Sequence, residues 1–119
     1  MEDRRLILQV ALKCADISHP AKSLDTHLEW TNRVTEENYN QGDIERERNL
    51  PLSPFMDRKT GDLPKSQIGF LSFLVLPLYK MWCDLFPDSN LCLQCLESNL
   101  NTWKSKSSNT ETKATEQQK

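Results

Sequence analysis

No stripe of positive charge runs through this sequence. Lys and Arg (15) nearly balance Asp and Glu (17), the net charge is −2, and the basic residues are scattered along the chain. Nucleic-acid backbones are held by clustered cations, so nucleic acid is not an indicated partner. A secretory leader is also lacking, because Met1 is followed by Glu-Asp-Arg-Arg with no apolar segment long enough to form its core. In that absence Cys14, Cys83, Cys92 and Cys95 read as reduced thiols in helices, and the chain as cytoplasmic. Cys92 and Cys95 form C-x-x-C, but a zinc site of this kind needs a second ligand pair, and no strand and loop of the redox type surround it. Hydrophobic residues make up 37% of 119, which is low for a self-sufficient core. The shortfall falls in residues 104–119, KSKSSNTETKATEQQK, where no large apolar residue occurs and a disordered polar tail is expected.

The most apolar stretch is residues 63–86, LPKSQIGFLSFLVLPLYKMWCDLF, and it reads as a buried helix. Asp62 suits the N-cap, Pro64 suits the first turn, and the run is long for a strand. Ser66, Gln67, Ser72, Lys80 and Asp84 interrupt it and Pro77 lies inside it, so no transmembrane segment is expected. Pro77 removes a backbone hydrogen bond and should kink the helix there. Gln67 precedes Phe70 and Leu71 by one turn, so its amide and the Phe70 ring project from the same end. That pair suits a flat heterocycle, the amide reading its edge and the ring stacking on its face. A capped amide beside a core phenylalanine gives the same pattern.

The remaining periodicity is helical, so the fold class is all-α. Residues 3–16 form an amphipathic helix, and Pro20 forces a turn just after Asp16. A carboxylate at a helix C-terminus meets negative potential, which a metal ion would offset; capping of the turn through Ser18 is the other reading. Ser23 is the expected N-cap of a second helix reaching about residue 41, with Gly42 ending it and Glu45 to Arg48 forming a solvated charged turn. Its inward stripe of Leu24, His27, Thr31, Val34 and Asn38 is polar for a core and suits a ligand wall, although a half-buried flank would look alike. Residues 50–62 read as an irregular loop, and a last helix runs from Asp88 or Ser89 to about Trp103.

LKCADISHPAK, EWTNRVTEENYNQGD, LPLSPFMDR and PKSQIGFLSFLVLPLY, in this order, resemble the C-terminal part of the catalytic domain of class I 3′,5′-cyclic-nucleotide phosphodiesterases. The similarity covers about residues 6–103, so that residues 1–103 are expected to be a partial catalytic domain, its helical C-terminal subdomain. The resemblance implies hydrolysis of cAMP or cGMP to the 5′-monophosphate with two divalent ions, zinc with magnesium or manganese. By resemblance Asp16 is a metal ligand contacting both ions, Gln67 holds the purine edge, Phe70 stacks on one purine face and Val34 touches the other. His27, two turns before Val34 on the same face, is expected near Gln67, where a neutral imidazole would tolerate either orientation of the amide and so either base; packing beside Trp30 is the alternative.

The family's other metal ligands and its proton-donating histidine belong to helices preceding this segment, and His19 and His27, the two histidines present, occupy none of those motif positions. Asn38 stands where an aromatic residue is usual. The expected partners are therefore a cyclic nucleotide and either the upstream catalytic helices or a full-length relative. A catalytically inactive helical module for nucleotide binding or pairing is the competing reading.

Overall fold

Asp62 starts the central helix as its sequence predicts, its carboxylate accepting the Lys65 backbone N–H at 3.1 Å with Pro64 in the first turn. In the computed structural model, which describes the backbone of residues 2–116 and the side chains of residues 3–109, five α-helices are formed. They are α1 (Glu2–Asp16), α2 (Leu24–Glu47), α3 (Leu63–Phe70), α4 (Leu76–Leu85) and α5 (Asn90–Glu116). Single 3₁₀ turns at His19–Ala21 and Pro87–Ser89 join α1 to α2 and α4 to α5, and no strand occurs among the described residues. The all-α class is what the periodicity demands.

Between α3 and α4 the helix does not break at Pro77 but widens into a π turn, Leu71–Val75, just before it. A proline removes one N–H from the ladder, and a wider turn upstream re-spaces the carbonyls it would otherwise meet. The same turn keeps Leu71, Val75, Tyr79 and Cys83 on one buried face. Residues four apart in an α-helix overshoot a full turn by about 40° each step, and a π turn, with more residues per turn, brings the stripe back. Leu71, Val75 and Tyr79 of that stripe pack with Cys14 of α1 and with Leu96, Leu100 and Trp103 of α5. By length and composition Leu63–Leu85 does pass for a membrane span, its polar interruptions notwithstanding. The stripe nevertheless lies in the protein core.

Two element ends differ from the sequence reading. Helix α2 passes through Gly42 and reaches Glu47, because Gly42 serves packing and not termination. It lies buried under the backbone of Met56 in the 50–62 loop. The charged turn after it keeps one local pair, Arg46 with Asp43 at 3.5 Å, and also reaches into the loop. Arg46 pairs with Asp57 at 2.8 Å, Glu45 accepts from the Ser53 backbone N–H at 2.8 Å and hydroxyl at 2.7 Å, and Arg58 grips Glu36 through two bonds of 2.9 and 3.0 Å. Helix α5 in turn continues to Glu116, so residues 104–116, expected to be disordered, are helical, and residues 117–119 lie outside the described residues. Extending an existing helix needs no new nucleus, and no Gly or Pro interrupts the stretch.

Arg58 also reaches Asp43 at 3.1 Å and Asn40 at 3.0 Å and lies over the Tyr39 ring, which makes it the hub fastening the loop to α2. Arg58→Ala is expected to quicken chymotryptic cleavage after Phe55 severalfold while leaving the far-ultraviolet spectrum unchanged. Hydrogen bonding from Arg58 holds Glu36 below the ordinary carboxylate range, and Gln41 and Ser53 do the same for Glu45. Carboxylates depressed in the docked state favour docking above their ordinary range, so it weakens only as the pH falls below that range.

Candidate functional site

Three side-chain hydrogen bonds, two of them buried, fix the A-D-I-S-H-P turn after α1. Tyr79 donates its hydroxyl to the Cys14 carbonyl at 2.8 Å, and Asn99 donates from Nδ2 to the carbonyls of Pro20 and Lys22, both at 2.8 Å. Burial pushes the Tyr79 hydroxyl up to about 12, so it remains a donor throughout the neutral range. α4 and α5 thereby present Asp16 and His19, from opposite sides of the turn, to one cavity.

That cavity, of about 650 Å³, is lined by Asp16 and His19 from this turn, Thr31, Val34 and Asn38 from α2, and Gln67 and Phe70 from α3. Phe55 of the loop and Phe73 and Leu74 of the π turn complete an apolar mouth. The structure therefore brings Asp16, Val34, Gln67 and Phe70 together around one space. Gln67 holds its most informative atom. Its side-chain oxygen Oε1 is buried and has no hydrogen-bond partner among the described residues. A buried carbonyl without a donor costs about 1–3 kcal/mol, and this one belongs to a side chain lining the cavity. A ligand with an N–H edge would satisfy it. The capped-amide reading needs a donor on that oxygen, and none reaches it among the described residues.

His27 is not among the lining residues. It is fully buried behind the wall, accepting at Nε2 from the Trp103 indole N–H at 2.7 Å, with its Nδ1 3.1 Å from His19 Nδ1 and 3.4 Å from Thr31 Oγ1. The aromatic neighbour is Trp103 and not Trp30, whose ring is half exposed under the Arg33 guanidinium. Helical spacing placed His27 on the correct face, but the pull of a donor more than seventy residues away in sequence turned it from the cavity. Burial lowers the His19 imidazole below its ordinary value, keeping it neutral at the cavity wall. His19, Phe55, Phe73 and Leu74 were not expected here. Phe55 sits on a loop at φ 67°, and the exposure of Phe73 and Leu74 follows from the π turn, so neither position carries a periodic signal.

Asp16 is exposed at the cavity rim, and no group of three or more His, Cys, Asp or Glu able to hold a metal ion occurs among the described residues. Catalytic zinc takes three protein ligands, so the residues present do not by themselves fit a two-metal centre containing it.

The family description 3′5′-cyclic nucleotide phosphodiesterase matches residues 1–96. 3′,5′-cyclic-AMP phosphodiesterase 4 of Dictyostelium discoideum is 46% identical over 99 residues, covering 83% of this chain and 10% of the relative. 3′,5′-cyclic-AMP phosphodiesterase 4C of Mus musculus is 42% identical over 105 residues, covering 87% and 15%. Among solved structures, the phosphodiesterase domain of Salpingoeca rosetta rhodopsin phosphodiesterase superposes with a TM-score of 0.88 at 30% identity, covering 97% of this chain and 35% of that one. LmjPDEB1 in complex with IBMX gives 0.85 at 32% identity, covering 89% and 32%. The chain thus spans a tenth to a seventh of these two curated relatives and about a third of the solved chains.

Proposed function

The chain belongs to the 3′5′-cyclic nucleotide phosphodiesterase family, and from that membership we propose that it forms the base-binding wall of a cyclic-nucleotide phosphodiesterase site. The single observation carrying this reading is the partnerless Gln67 Oε1 in a cavity that also holds Phe70 and Val34. Adenine offers an amino donor beside a ring acceptor, and a glutamine amide matches both with its oxygen and its NH₂. Phe70 and Val34 close on the two faces of the ring and orient it. Guanine offers the reverse pattern. No donor among the described residues holds Gln67 Oε1 in place, so the amide can turn over, and cGMP is a second substrate on the strength of the amide itself and not of His27.

Asp16 would be one ligand of a pair of divalent ions, zinc with magnesium or manganese, whose remaining ligands would come from outside this chain. Bound ions of that kind would activate water and offset charge on the phosphate. The chain's own residues bind and orient the nucleotide. A second reading, a nucleotide-binding module that pairs with catalytic helices or with a full-length relative, is favoured by Leu8 and Leu12 on α1 and by Phe73 and Leu74, all more than 60% exposed.

Calorimetric titration of the chain with cAMP and with cGMP tests the wall. Gln67→Ala is expected to weaken both by about tenfold to a hundredfold, the loss of one or two buried hydrogen bonds. Unchanged affinity in that variant would remove the amide from the site.

A further inference from the structure

Trp103, His27 and His19 form a chain whose hydrogens can be counted. An indole N–H only donates, so His27 Nε2, 2.7 Å away, must present its lone pair, and the hydrogen of the neutral ring is on Nδ1. The nearest acceptor for it is His19 Nδ1 at 3.1 Å, with Thr31 Oγ1 farther off at 3.4 Å. The imidazole planes lie within 17° of each other in an offset arrangement with centroids 5.2 Å apart, and the two Nδ1 atoms are their hydrogen-bonding contact. His19 Nδ1 is then an acceptor and its own hydrogen sits on Nε2. Each short contact holds one hydrogen, and no site is spare.

An added proton has no place in this arrangement. On His19 Nδ1 it would oppose the His27 Nδ1–H, and on His27 Nε2 it would oppose the Trp103 N–H. Moving the His27 hydrogen from Nδ1 to Nε2 relieves the first conflict by creating the second. Thr31 can accept the His27 hydrogen but cannot remove it. We propose that His19, His27 and Trp103 form an acid-operated latch, which in its neutral state fastens the cavity wall to α5 and which protonation of the histidine pair opens at Trp103.

The surroundings favour the closed, neutral form. His27 is fully buried on α2, with Thr31 on its own helix, His19 facing it from the 3₁₀ turn, and Trp103 and Lys106 from α5. The Lys106 ammonium lies 4.9 Å from the Trp103 ring centroid and acts against a second positive charge. Burial first, then His19 and Lys106, lowers His27 from 6.5 to about 4. A base whose proton affinity is depressed in the closed state favours closure above its ordinary value. The advantage is lost as the pH falls below 6.5 and is exhausted below about 4. Between those limits the closed-to-open ratio should fall roughly thirtyfold by pH 5. The latch is independent of the identity of the ligand in the cavity.

The test uses the complete, isotope-labelled chain, with the three indole resonances assigned through Trp30→Phe and Trp82→Phe. Long-range proton–nitrogen correlation at pH 7.5 is expected to show Nδ1–H on His27 and Nε2–H on His19. Solvent exchange of the Trp103 indole hydrogen, corrected for its intrinsic pH dependence, should rise about thirtyfold from pH 7.5 to 5 while helical ellipticity holds. His19→Gln and Lys106→Gln each remove a group that opposes a proton on His27 in the closed state, so each should make that rise smaller at pH 5. Nε2–H on His27 at pH 7.5, exchange that stays flat to pH 4.5, or loss of ellipticity in the same step as Trp103 opening would each overturn the latch.

Discussion

Gly42→Val is expected to detach the 50–62 loop from α2 and to lower the unfolding free energy by about 2–4 kcal/mol, read as a fall in the thermal midpoint. Gly42 has ordinary helical φ, so conformational freedom is not why glycine stands there. The reason is contact. A Cβ at this position falls inside the van der Waals envelope of the Met56 carbonyl oxygen and 2.7 Å from its carbonyl carbon. Backbone faces backbone, and no side-chain rotation relieves the overlap. Helix propensity alone gives the opposite sign, since alanine in a helix interior is favoured over glycine by about 1 kcal/mol. Gly42→Ala therefore separates the two effects, and a raised midpoint in that variant would show that the loop does not pack on α2 as described. Detachment has a functional reading as well. Phe55, next to Met56, lines the cavity mouth, so Gly42→Val should weaken nucleotide binding while Gln67 stays in place.

The parts of the site legible in the sequence are those fixed by spacing within one helix. Gln67 and Phe70 are one turn apart on α3, and Thr31, Val34 and Asn38 recur along α2, so each group faces one way whatever the rest of the chain does. Asp16 was readable because Pro20 ends α1 near it. What spacing does not fix is the choice between two faces of comparable polarity. His27 lies at the edge of the cavity-facing stripe, and its position depends on Trp103, which approaches from the far end of the chain. Gly42 misled for a related reason, since glycine after a polar helix is a common stop signal and only the Met56 contact reveals its other use. The π turn is invisible to a periodicity reading that assumes a constant number of residues per turn, and Phe73 and Leu74 came with it. Composition likewise underestimates α5, because the polar continuation is carried by a helix already nucleated in the core.

The purified 119-residue chain is expected to show no measurable hydrolysis of cAMP or cGMP in the presence of zinc and magnesium, at least about 10⁴-fold below a chain extended at its N-terminus with the corresponding catalytic segment of a family member. The expectation rests on the inventory of side chains around the cavity. Asp16 offers one carboxylate, and no cluster of three or more His, Cys, Asp or Glu ligands exists among the described residues. Phosphoryl transfer is catalysed mainly by positioning and by stabilising charge, and one carboxylate cannot assemble the cations that supply the second. His19, though at the cavity, is held below its ordinary value by burial and so is a poor source of a proton for a leaving oxygen at neutral pH. Binding and turnover should therefore separate in this chain, with nucleotide affinity dependent on Gln67 and no product formed. In the extended chain the two residues should also separate. Asp16→Ala should abolish turnover, whereas Gln67→Ala should mainly raise KM, since the amide holds the base equally in the ground and transition states. Metal-dependent turnover by the 119-residue chain that survives repurification and disappears in Asp16→Ala would show that a single carboxylate suffices, contrary to this account.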